Sequence, residues 1–189
     1  MLSTLEEYIR TSLASVPSTH WLVMGLLPVL LMAFLLARKR TSVYGAIALG
    51  IAFYIVLFLL ETALVIRCCD LVAYTSGFDF DAEYNRFFRG TIYDRRQIFF
   101  NIAVFIPFGF FLSEFLSVIK MLGSWRQIGI VTLSGLALSL FIESLQLILH
   151  VGVFEVTDLV MNTVGAFVGA GLSVLKRLMF ERKNCYAKH

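Results

Sequence analysis

Charge-free apolar stretches of membrane-crossing length constrain this chain more than any other feature. Val43–Leu60 contains no charged residue, and neither does Trp21–Ala37. A hydrocarbon layer about 30 Å thick takes about 20 helical residues to cross. Five segments approach or reach that length: Trp21–Ala37, Val43–Ile66, Ile98–Ile119, Gln127–Leu149 and Thr157–Leu175. Continuous apolar runs without period-two alternation select helices over a membrane barrel. The expected fold class is therefore all-α, a polytopic transmembrane helical bundle of about five spans. Charged residues make up 15% of the chain, against roughly 25% in soluble domains. A soluble chain of 189 residues has too little interior to hide a composition that is 59% hydrophobic.

The basic residues orient the bundle. Arg38, Lys39 and Arg40 follow the first span, Lys120 and Arg126 lie about the link between the third and fourth, and Lys176, Arg177, Arg182, Lys183 and Lys188 follow the fifth. An odd number of spans puts all ten on one side, with Arg10, Arg67, Arg86, Arg89, Arg95 and Arg96 on the other. The positive-inside rule makes the first side cytoplasmic, with the N-terminus outside and the C-terminus inside. Residues 1–18 carry Leu2, Leu5, Ile9, Leu13 and Val16 at helical spacing, which suits an amphipathic interfacial helix. Residues 19–177 then form the transmembrane domain, with an extracytoplasmic loop at 67–97, and residues 178–189 form a cytoplasmic tail. The basic residues do not gather into a dense stripe, so nucleic acid is not an expected partner. Cys68, Cys69 and Cys185, with scattered His20, His150 and His189, match no metal-ligand spacing, and no metal or other cofactor is expected.

Polar groups inside these segments point to a site. An ionisable side chain at membrane depth is costly and usually faces a bundle interior or a wet cavity. Asp158 and Asn162 share one face of the fifth span at i,i+4 spacing, and Gly165 and Gly169 continue that face as a GxxxG pair. Glu143 and Gln146 share a face of the fourth span, and a short link from His150 to Val156 makes these spans an antiparallel hairpin. The third span adds Asn101 above Pro107 and Gly109, where the proline is expected to bend the helix. Glu61 is a further contributor from the second span. Glu114 lies at the opposite end, on the wrong side to join. Glu143 ranks first, because a carboxylate costs about 3 kcal/mol at this depth whereas an amide supplies a hydrogen bond at a smaller penalty. Asp158 ranks second, and Asn162 and Asn101 third; Gln146 alone reads as interhelical glue.

Three blocks in order, Asn101–Gly109, Glu143–Gln146 and Phe154–Gly169, make the chain similar to the VanZ-like family of small bacterial membrane proteins. Family members often carry two successive acids in the last block; here Thr157 stands at the first of those positions. The resemblance implies a helical domain of the bacterial cytoplasmic membrane with an envelope role and a link to glycopeptide (teicoplanin-type) resistance. It supplies no reaction.

Two classes of function stay open. In the first, Asn101, Glu143, Gln146, Asp158 and Asn162, with the nearby Arg86, Arg89, Arg95 and Arg96 for a phosphate, bind a ligand in an outer-leaflet pocket. The candidate ligands are a membrane lipid, a lipid-linked cell-wall precursor and a glycopeptide or lipoglycopeptide. In the second, Glu143 and Asp158 are catalytic groups of an intramembrane enzyme acting on a lipid-linked precursor, or proton-carrying groups of a transporter. The GxxxG pair also offers a contact to a second copy, so a homo-oligomer is a candidate assembly.

Overall fold

The computed structural model describes residues 18–39, 41–60, 92–119, 123–150 and 154–186, and the side chains within 25–39, 41–60, 98–119, 123–150 and 154–180. The described residues form five helices: α1 (Ser18–Ala37), α2 (Val43–Leu60), α3 (Ile92–Val118), α4 (Ser124–Ile148) and α5 (Val156–Tyr186). Four of them hold a membrane-crossing stretch: Val43–Leu60, Ile98–Val118, Ser124–Ile148 and Val156–Phe180. The fold is all-α, as the hydropathy requires. The expected N-terminal interfacial helix, Glu61, and Arg86 and Arg89 lie outside the described residues.

Two boundaries differ from expectation. Residues 92–97, placed in the long loop, are the first turns of α3, and α5 runs on to Tyr186 rather than ending near Leu175. Hydropathy locates where a helix enters hydrocarbon, not where it ends. Ile92–Gln97 and Lys176–Tyr186 are polar turns of the same helices. Pro107 lies inside α3, which is helical on both sides of it.

Local chemistry sets the turns. Ser42 caps α2: its Oγ accepts the Gly45 N–H at 3.2 Å and its carbonyl accepts that of Ala46 at 2.9 Å. After α4 the chain turns through His150 at φ 56°, in the left-handed region, with the His150 N–H on the Leu147 carbonyl at 3.3 Å.

Helix α5 is the central element. It packs most extensively on α3 and next on α4, while α2 packs on α3 and α1 on α2. The α5 face that meets α3 and α4 is small and polar: Asp158, Asn162, Gly165, Ala166, Gly169, Ala170 and Ser173 are buried, while Phe167, Leu172 and Leu175 face outward. Lipid is as apolar as leucine, so close packing and hydrogen bonds, rather than hydrophobicity, hold such helices together. Gly165 and Gly169 rest on the α3 carbonyls of Ile102 and Ile106, and Gly109 rests in turn on the Ala166 backbone. The GxxxG pair is thus used within the chain, as a seam between α3 and α5. Phe105, Phe108, Leu59, Ile142 and Ala166 fill the space beside it, with Phe105 and Phe108 edge to face at 5.9 Å.

A methyl group added at Gly169 would lie 2.7 Å from the Phe110 nitrogen, whereas one at Gly171 would meet nothing within 4 Å. Gly169→Ala should therefore destabilise the bundle by about 1–3 kcal/mol, the usual cost of overpacking. Gly171→Ala should be neutral or slightly stabilising. Unfolding of both variants in detergent, followed by circular dichroism, checks the contrast.

Candidate functional site

Polar side chains gather at both ends of the α3–α5 seam. The first layer surrounds the start of α5. Asn101, from α3, donates its Nδ2–H to Asp158 Oδ1 at 2.6 Å. One turn along α5, Asn162 donates to Ser139 Oγ of α4 at 2.9 Å. Glu143, one turn from Ser139 on α4, accepts the backbone N–H of Glu155 at 2.9 Å through Oε2. Gln146 lies on the same α4 face, buried like Glu143, Asp158 and Asn162. Three helices therefore converge their polar groups in one layer, as the spacing of these residues predicts.

The Glu143 contact explains why a carboxylate can exist there. Glu155 immediately precedes α5, and the first N–H groups of a helix have no partner within it. They carry about half a positive charge from the aligned peptide dipoles. Glu143 places a carboxyl oxygen on this helix start from a neighbouring helix. Asp158, in the first turn of α5, adds a second carboxylate to the same positive end.

The other sequence-predicted residues divide. Gly109, Gly165 and Gly169 are packing residues. Arg95 and Arg96 lie on α3, with side chains outside the described set. Glu114 does not join the first layer and instead centres a second one that sequence reasoning missed. Only 4% exposed, it accepts from Tyr44 of α2, from Ser173 Oγ at 2.9 Å and from Lys176 Nζ at 2.6 Å. The Lys176 ammonium also lies over the rings of Tyr44 and Phe110, at 5.5 and 5.3 Å. The available signal was spacing: Ser173 and Lys176 continue the Asp158–Asn162–Gly165–Gly169 stripe. At 1.5 Å per residue, Asp158 and Lys176 are about 27 Å apart along α5, close to the hydrocarbon thickness. Each layer thus sits at one edge of the apolar slab. Among the described residues, no group of three or more His, Cys, Asp or Glu side chains could hold a metal ion.

A family model described as VanZ/LLP1 matches residues 45–177, more than half of the chain. The chain belongs to the VanZ/LLP1 family. The matched region runs from the first turn of α2 to Arg177 of α5, contains both polar layers apart from Tyr44, and leaves α1 outside. Protein VanZ from Enterococcus faecium is 33% identical over 88 residues, which cover 47% of this chain and 50% of the relative. The chain thus spans about half the length of the curated relative it matches. No solved structure matches it.

The Asn101–Asp158 bond should be measurable as coupling in this VanZ/LLP1 bundle. In a double-mutant cycle of Asn101→Ala and Asp158→Ala, unfolding in detergent should show an interaction of about 1.5–3 kcal/mol, the range for a hydrogen bond to a charged group. Strict additivity would contradict the contact.

Proposed function

We propose that this VanZ/LLP1 protein sits in the bacterial cytoplasmic membrane and binds the headgroup of an amphiphile at the polar layer around Glu143 and Asp158. The ligand class is a membrane lipid, a lipid-linked cell-wall precursor or a glycopeptide of the teicoplanin type, and the role is protection against such a glycopeptide. The observation that carries this reading is the convergence of Asn101, Glu143, Asp158 and Asn162, from three helices, on the start of α5. Elsewhere in the bundle the helices are held by glycine, alanine and serine, and the buried carboxylate there, Glu114, is answered by a full cation, Lys176. Two carboxylates at one helix start exceed what packing requires.

The polar groups are already bonded to one another, so a ligand enters by exchange. A sugar hydroxyl or amide that replaces Asn101 on Asp158 restores the bond it breaks, and the net cost of the swap is small. Arg95 and Arg96 lie about 8 Å farther out along α3 than Asn101, where a phosphate next to the headgroup would come. The sidedness is read from charge: Arg38, Lys39 and Arg177 lie at the opposite end of the helices, which the positive-inside rule makes the cytoplasmic one. On this reading the N-terminus and the Asp158 layer lie outside.

Binding is preferred to catalysis because of the serines. Ser144, next to Glu143 in sequence, bonds its own helix at the Leu140 carbonyl, and Ser139 is held by Asn162. Ser144 thus gives its proton to its own backbone and not to a carboxylate base, as a nucleophile would require. Transport through one chain is disfavoured by the seam, where α3 and α5 meet backbone to backbone between the two polar layers.

Expression of the wild-type chain in a susceptible Gram-positive host should raise the minimum inhibitory concentration of teicoplanin. Glu143→Gln, which keeps an acceptor for the Glu155 N–H, should return it to the empty-vector value at equal membrane abundance. Full protection by that variant, with undiminished photocrosslinking to a lipoglycopeptide probe and to a lipid-linked precursor probe, would refute the proposal.

A further inference from the structure

Two adjacent cations on α5 are treated differently. Lys176 is neutralised by Glu114 at 2.6 Å. Arg177 contacts no carboxylate among the described residues: its two terminal nitrogens donate to Gln127 Oε1 at 3.1 Å and to Ser124 Oγ at 3.0 Å. Both acceptors are neutral, so the guanidinium is held in place by groups that leave its charge unanswered among the described residues.

The support is rigid. Gln127 is 1% exposed, and its amide nitrogen is fixed by the Ser113 carbonyl at 2.6 Å and the Ser113 hydroxyl at 2.7 Å. Its carbonyl oxygen is thereby aimed at Arg177. A guanidinium has five N–H donors in a planar fork. Two are used here, which leaves three for a ligand, and Ser124 keeps its own hydroxyl proton to donate. Beside this group Trp125 is 85% exposed, an arrangement typical of the headgroup layer, where an indole keeps its ring in the apolar edge and its N–H in the wet one. A guanidinium fixed by a buried amide, with no carboxylate against it among the described residues and in a place where phosphates are dense, is an arrangement that takes up a phosphate.

We infer that Arg177, with Ser124, forms a second binding site, for the phosphate of an anionic lipid, at the end of the bundle remote from Glu143. The site depends neither on the proposed amphiphile at Asp158 nor on which end faces the cytoplasm. Its occupant would tie α4 and α5 to one leaflet by a bidentate contact, while Glu114–Lys176 ties α5 to α2 and α3 alongside it.

Native mass spectrometry of the full chain, titrated with phosphatidylglycerol in detergent, tests the site. Arg177→Gln should weaken the adducts by about tenfold, the size of one charge-assisted hydrogen bond. Arg177→Lys should weaken them by about threefold, because an ammonium keeps the charge and loses the planar fork. Arg38→Gln removes the same charge from the α1–α2 turn, where Arg38 lies over the Phe34 ring at 5.3 Å, and should leave the adducts unchanged. Inorganic phosphate in excess should fail to displace the lipid; displacement would mean that the site takes free phosphate instead and would overturn the lipid assignment. Unchanged adducts in Arg177→Gln, or an equal loss in Arg38→Gln, would overturn the site itself, the latter by showing diffuse attraction only. Should Arg177→Gln not fold, Ser124→Ala carries the test: an intermediate loss supports the site and wild-type affinity refutes it.

Discussion

The close approach of α3 and α5 governs this bundle. Where Gly165, Gly169 and Gly109 bring two backbones into contact, the helices are fixed in register and in distance. Every polar contact at either end depends on that register. Asn101 is one residue from Ile102, whose carbonyl receives Gly165, and Asp158 lies two turns before that glycine. Glu114 and Ser173 face each other two turns beyond Ile106 and one turn beyond Gly169 respectively. A residue with a side chain at the seam would push both pairs apart together, and two carboxylates would be stranded in an apolar solvent.

The two layers divide the remaining work. Around Asp158 the carboxyl groups rest on a helix start and on an amide, with no cation against them in the bonds Asn101–Asp158 and Glu155–Glu143. Around Glu114 the charge is answered by a full cation, Lys176, with Tyr44 and Ser173 completing the set. A buried pair of this kind is strongly destabilised when one partner is lost, and is therefore suited to holding helices rather than to exchanging partners. The apolar stretch between the layers, with Phe105, Phe108 and Ile142 at its centre, separates the layer for which ligand exchange is proposed from the one that ties the helices together.

Much of this was legible in the amino-acid pattern, for a physical reason. Charges and amides within apolar segments are costly enough to stand out, so Glu143, Asp158, Asn162 and Asn101 identify themselves, and i,i+4 spacing puts them on common faces. Serine does not stand out. Its hydroxyl can satisfy itself on its own helix, as Ser134 does on the Ile130 carbonyl and Ser144 on that of Leu140. Nothing in the sequence says that Ser139, Ser113 and Ser173 bond to other helices instead. Lys176 was hidden because it opens a basic cluster that reads as cytoplasmic flank, although its charge belongs to Glu114. Helix ends outside the hydrocarbon were missed because Ile92–Gln97 and the turns after Leu175 are polar, and polarity there marks water rather than loop. Finally, the role of Glu143 as a partner for the α5 start depends on a main-chain N–H, which no side-chain pattern encodes.

Proximity across the Asp158 layer, in a native membrane, is the claim on which the account stands. Cysteines at Asn101 and Asp158, in a chain whose Cys68, Cys69 and Cys185 are replaced by serine, can be bridged by a short bifunctional methanethiosulfonate reagent and read by mass spectrometry. The account predicts an intramolecular bridge between these two positions and none between Asn101→Cys and Ser173→Cys, which lie at opposite ends of the seam. Failure of the first pair to bridge while both thiols react singly, or bridging of the second pair, would contradict it.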